Sequence, residues 1–77
     1  MSAIKRIRAY KLKVLEFIRE REVVTCQELA DKFGYQGGGA STMLSRLKQQ
    51  GLVINDRRGE WIVTDLGLKK LIYYGRL

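Results

Sequence analysis

The side chains that could do chemistry in this chain are hydrogen-bonding and cationic ones. There is no histidine and one cysteine among 77 residues, so an ordinary general base and a plausible set of zinc ligands are both missing. The eight acids are scattered rather than paired at helical or strand-facing spacing, and Ser41 and Ser45 have no base placed to activate them. A non-enzyme without cofactor or metal is expected. Fifteen lysines and arginines outnumber the acids, giving a formal net charge of +7. The charge is segregated. Residues 1–13 carry five bases (Lys5, Arg6, Arg8, Lys11 and Lys13) and no acid, residues 14–31 two bases and five acids, and residues 32–77 eight bases and three acids. Two basic segments around an acidic one imply one positive face, and so a polyanionic partner.

The elements that would position those residues follow from spacing. A length of 77 residues with 45% hydrophobic and 30% charged content suits one folded domain over residues 1–77, with no repeat, proline or linker to divide it. A first helix is expected from roughly Ile4 to Glu20, with Ser2 as its N-cap. Its apolar surface at Leu12, Val14, Leu15, Phe17 and Ile18 is wider than one packing face needs, so either it is central to the core or part of it meets another subunit. Val23 and Val24 form a strand stub. Thr25 and Glu28 make a capping box. Cys26, Leu29, Ala30 and Phe33 then follow at i, i+3, i+4 and i+7, and Gly34 ends that helix.

A further helix is expected over about Gly37 to Gln50, with Ala40, Met43, Leu44 and Leu47 inward and Gly51 as its stop. Leu52-Val53-Ile54 and Trp61-Ile62-Val63 should pair as a hairpin around Asn55-Asp56-Arg57-Arg58-Gly59, a type I turn with glycine at the positive φ of a bulge. Thr64 should cap a last helix to about Tyr74, packed through Leu66, Leu68, Leu71 and Ile72. Trp61 should be the inward residue of its strand.

The order is helix, strand stub, helix, helix, hairpin, helix. With Glu28-Leu29-Ala30, Gly34, Leu44, Leu47 and Gly51-Leu52-Val53, it resembles the winged helix-turn-helix superfamily, particularly small bacterial and archaeal transcription regulators. The tail Trp61-Ile62-Val63-Thr64 with Gly67 and Leu71 is similar to the end of the wing in multiple-antibiotic-resistance-type regulators. The resemblance covers most of residues 12–72. It implies an α+β, mostly helical fold: a three-helix core, a two-stranded wing with a short third strand, and a C-terminal helix. It also implies a helix at 37–50 in the major groove of double-stranded DNA, with the 55–59 wing tip on the backbone or in the minor groove.

The inward set on that helix turns Gly38, Ser41, Thr42, Ser45 and Gln49 outward, with Arg46 and Lys48 on the flanks. Serine, threonine and glutamine can hydrogen-bond base edges, while arginine and lysine hold phosphate or guanine. A solvated polar face is the bland alternative, and the basic balance favours binding. The turn Gln36-Gly37-Gly38-Gly39 departs from the family pattern, which has base-reading side chains there. Three glycines in a helix cost about 1 kcal/mol each relative to alanine. Either bare backbone approaches phosphate closely, or the glycines are a connector and the helix begins near Ala40. The connector is favoured in the free protein. A nucleotide-binding loop is excluded, because no Gly-Lys-Ser/Thr follows at the required spacing.

Arg57 and Arg58 at the wing tip and Lys5, Arg6 and Arg8 complete the candidate DNA-binding set. The Lys5, Arg6, Arg8, Lys11 and Lys13 cluster has three readings: phosphate contact, a solvated helix end, and membrane binding, which fits it least. Cys26 is expected as a small core residue rather than a redox sensor. Tyr73 and Tyr74, with Ile72 and Leu77, leave more apolar surface than one helix face buries. That surface either closes the core or forms a homodimer contact with the first helix. A cytoplasmic location is the default, since no segment approaches a membrane span. Two other readings remain beside the DNA regulator. A protein-binding adaptor would show apolar residues on the outer face of the third helix, and a single-strand binder would show more exposed aromatics than Tyr35, Tyr73 and Tyr74.

Overall fold

The computed structural model describes residues 9–75. Its elements are α1 (Ala9–Arg21), β1 (Val24–Thr25), α2 (Cys26–Phe33), α3 (Gly39–Gln49), β2 (Val53–Arg57), β3 (Glu60–Val63) and α4 (Asp65–Tyr73). The expected N-cap at Ser2, the first helical turns from Ile4, the Lys5, Arg6 and Arg8 cluster and Leu77 lie outside the described residues. The element order is as expected, and the architecture is that of a winged helix.

α1 explains the breadth of its own apolar surface. Leu12, Val14, Leu15 and Ile18 are all buried. Val14 and Leu15 project roughly 100° apart on a helix, so α1 must be covered on two sides, and β3 and α4 both pack on it. This stretch is central to the core. α1 runs one residue past its expected end, and Glu22 follows in the left-handed region at φ 71°, a position that glycine usually fills.

β1 is Val24–Thr25 and not Val23-Val24. Val24 is buried and faces Trp61 in the register, whereas Val23 is exposed. The sheet order is β1-β3-β2, antiparallel throughout. Its pairs include Val53 with Val63 and Ile54 with Ile62. Trp61 is half-buried against the core, as expected of an inward residue.

The hairpin is longer than its residue types suggest. β2 extends to Arg57 and β3 starts at Glu60, leaving Arg58-Gly59 as the loop. The register slips by one residue between Asn55 and Arg57, which leaves Asp56 bulged. Asn55 and Arg57 are therefore strand residues. The Asn55 side-chain amide donates to the Glu60 carbonyl at 2.8 Å, a cross-strand link that helps polar residues extend the ladder. Gly59 has φ 76°, the positive value anticipated.

α4 departs from its expected packing face. Leu71 is buried, but Leu66 and Ile72 are exposed. What fits beneath α4 is Gly67: a Cβ there would come 2.4 Å from the Leu52 carbonyl oxygen and 2.6 Å from Val63 Cγ1. Helix and wing meet so closely that no side chain fits, and the contact rotates Leu66 outward. Thr64 locks the junction. Its hydroxyl accepts from the Gly67 amide at 3.0 Å and donates to the Gly51 carbonyl at 2.6 Å, while its amide donates to the Leu52 carbonyl at 3.0 Å.

Candidate nucleic-acid interface

α2 supports α3, and its sequence makes it a well-defined support. The Thr25 hydroxyl accepts from the Glu28 amide at 3.1 Å, and the Glu28 carboxylate accepts from the Thr25 amide at 2.9 Å. The capping box is complete. Gly34, at φ 73°, closes the other end by donating to the Ala30 carbonyl. Leu29 is fully buried, and Cys26, Ala30 and Phe33 pack half-buried around the core. Cys26 thus sits against the core as expected.

α3 lays Ala40, Leu44 and Leu47 into the core, with Met43 half-buried beside them. Ser41, Thr42, Ser45, Arg46, Lys48 and Gln49 are all exposed. The helix contains two bases and no acid. This face can donate and accept hydrogen bonds and can neutralise phosphate. None of the large exposed hydrophobic residues (Tyr10, Val23, Ile54, Leu66, Ile72 and Tyr73) belongs to α3.

The helix starts at Gly39, not at Gly37. Gly37 has φ 60°, which is incompatible with a right-handed helix. Gly38, at φ −95° and ψ 15°, is the N-cap and carries no side-chain cap. Gln36, Gly37 and Gly38 therefore form an exposed turn leading into α3. Two backbone bonds define its entry: Gly39 N–H to the Gln36 carbonyl at 3.1 Å and Thr42 N–H to the Gly38 carbonyl at 2.9 Å. Gly37 and Gly38 thus lie in the turn, while Gly39 is the first residue of the helix.

The structure separates the three glycines. Gly37 is required by its φ. Gly38 is required by neither φ nor space, since a Cβ there would meet nothing within 4 Å. Gly39 is crowded by a neighbour: its Cβ would lie 3.0 Å from Tyr35 Cδ1. Tyr35 was weighed above only as a stacking aromatic. Instead it joins Tyr10, Phe17 and Phe33 in a cluster of edge-on and tilted rings with centroids 5.7–6.3 Å apart. Its hydroxyl is enclosed, with the Tyr10 phenol beside it. Burial, reinforced by the adjacent Tyr10 phenol, raises its pKa well above the ordinary tyrosine value. An aromatic four residues before a glycine was the one signal in the chain that could have pointed to this contact.

On the wing, Arg57 ends β2 and Arg58 lies in the loop, both exposed. Exposed Asp56 and half-buried Glu60 lie beside them, so the wing tip is not uniformly positive. The acidic block occupies other elements: Glu16 and Glu20 on α1, Glu22 just after it, and Glu28 and Asp31 on α2. Arg21 and Glu28 pair at 3.2 Å, with both side chains about half exposed. A pair so solvated adds little to stability. A groove of about 400 Å³ between α1 and α2 is lined by Lys13, Glu16, Phe17, Glu20, Lys32 and Phe33. Among the described residues no group of three or more His, Cys, Asp or Glu could hold a metal ion, and no helix is long and apolar enough to cross a membrane.

No family model and no curated protein matches the chain. A solved structure does: "Multiple Antibiotic Resistance Repressor, MarR" superposes with a TM-score of 0.72 at 30% sequence identity. The match covers 91% of this chain and 58% of that one. The chain therefore spans less than two thirds of the repressor it resembles.

Proposed function

We propose that this chain, a member of the winged helix-turn-helix transcription-regulator superfamily, binds double-stranded DNA sequence-specifically and regulates transcription. In this reading α3 enters the major groove and the wing lies along the backbone or in the minor groove. The observation that carries it is the outer face of α3: six exposed polar or basic residues, no acid and no large apolar side chain. Ser41, Thr42, Ser45 and Gln49 would contact bases, and Arg46, Lys48, Arg57 and Arg58 would hold phosphates. Exposed Gln36, Gly37 and Gly38 would let the duplex backbone approach the start of α3. Lys5, Arg6 and Arg8 would add phosphate contacts from the N-terminal segment. An adaptor would need apolar residues on this face, which has none.

Ile72 and Tyr73, exposed at 61% and 78% at the end of α4, support homodimerisation through the first and last helices. Sedimentation of the native protein and a Tyr73→Ser variant tests this, with a dimer expected only for the native chain.

Titration of a duplex library at several salt concentrations tests the DNA reading. Neutralising ~5 phosphates predicts a slope of log K against log salt near −4.5. Ser45→Ala or Gln49→Ala should change preference among sequences, and Arg57→Ala should weaken all duplexes alike. A protein that binds no duplex at low salt would refute the reading.

A further inference from the structure

Tyr35 sits at the joint between the supporting helix and the presented one. Its amide donates to the Ala30 carbonyl at 3.0 Å, which ties its backbone to the last turn of α2. Its ring contacts Phe33 and Tyr10, at centroid distances of 6.3 and 6.0 Å. The same ring lies over Gly39, the first residue of α3: a Cβ there would meet three Tyr35 atoms at 3.0, 3.4 and 3.5 Å. The Tyr35 hydroxyl is enclosed, with the Tyr10 phenol beside it, and the ring is held by its packing against Phe33, Tyr10 and Gly39. Meanwhile α3 has no side-chain cap of its own. Beyond the two backbone bonds of its entry, the direction of its first turn comes from what it rests on.

We propose that the Tyr35 ring seated on Gly39 is a positioning device that sets the distance and angle of the first turn of α3 relative to α2. Through that placement it determines how the outer face of α3 meets a duplex. Tyr35 acts through α3 and touches no nucleic acid. This inference rests on the DNA-binding reading above. A methyl group at residue 39 would force ring or helix to give by a few tenths of an ångström. A binding site must be held to within about 0.5 Å, so a shift of this size at the first turn of α3 uses up much of that margin while leaving the core intact.

The test compares the native chain with Gly39→Ala, Gly38→Ala, Tyr35→Phe, Tyr35→Leu and the Gly39→Ala/Tyr35→Leu pair. Three quantities are measured: thermal melting, affinity for a preferred and a scrambled duplex, and residual dipolar couplings reporting the direction of α3 against α2. Gly39→Ala should weaken the preferred duplex roughly tenfold and the scrambled one less, with an almost unchanged melting temperature. Tyr35→Phe, which keeps the ring, should bind like the native chain. In the Tyr35→Leu background the same methyl should cost less than about twofold, because it no longer meets a ring. The couplings should show α3 turned in Gly39→Ala and unturned in Gly38→Ala, whose methyl points into open space.

Additive effects of the two substitutions, an unturned α3, or affinity losses that merely follow melting temperature would overturn the proposal. If Tyr35→Leu fails to fold, the Gly39→Ala and Gly38→Ala couplings decide it alone. Native protein that binds no duplex refutes the DNA reading instead, and the couplings still decide whether Tyr35 places α3.

Discussion

α2 and α4 begin in one way and α3 in another. Both of the former start at a threonine whose hydroxyl accepts an amide of the first turn, from Glu28 at 3.1 Å and from Gly67 at 3.0 Å. α3 starts at a glycine with no side-chain cap, after a turn made of Gln36, Gly37 and Gly38. The capped helices have their ends set by local hydrogen bonds, so they form a frame that needs no ligand. The uncapped one is entered through backbone bonds alone and takes its placement from a neighbour's ring. The side-chain caps are thus at the starts of α2 and α4, and the start that lacks one belongs to the helix with the exposed polar and basic face.

The largest effect should come from breaking the frame at its junction. Thr64→Ala removes a cap and the bond to Gly51, each worth about 1 kcal/mol, and should destabilise by about 2 kcal/mol in chemical denaturation. Thr25→Ala removes one cap and should cost about 1 kcal/mol. Neither should change preference among duplexes; a changed preference would show that frame and reading helix are not separable. Gly38→Asp tests the other side of the comparison. A carboxylate at the start of α3 should stabilise the free protein by a few tenths of a kcal/mol, yet weaken every duplex several-fold in a binding titration, by repelling phosphate.

The smallest effect appears only in alkali. Tyr35 has a raised pKa through burial, with the Tyr10 phenol adding to it. Above about pH 10 an unfolded chain loses that proton while the folded one keeps it. Stability from this group is therefore constant below pH 10 and falls as the pH rises past it. Denaturant melts from pH 8 to pH 11.5 should show a shallower decline for Tyr35→Phe than for the native chain.

Much of this was legible locally. The capping box at Thr25 and Glu28, the inward set Ala40, Leu44 and Leu47, and the positive φ of Gly34 and Gly59 are short-range consequences of residue type and spacing. The outward residues of α3 followed from the inward ones by helical geometry alone. The errors have a common origin. Asn55 and Asp56 are poor strand formers by type, yet Asn55 pairs across the ladder, as does Arg57, and Asp56 is carried along as a bulge. Leu66 is apolar at helical spacing, yet the close approach of Gly67 to Leu52 and Val63 turns it outward. Non-local packing overrode local preference in both places.

The sequence by itself determined the element order, the two threonine caps, the basic balance and the polar outer face of the third helix. Each depends on residues within a few positions of one another, or on composition. Only the tertiary structure decided that the glycine run is a turn followed by a helix start, that Tyr35 rests on Gly39, and that Thr64 ties the last helix to the end of α3. The physical reason is distance along the chain or conformational freedom. Thr64 and Gly51 are 13 residues apart. A glycine accepts nearly any backbone conformation, so what each of the three does was settled by its neighbours in space.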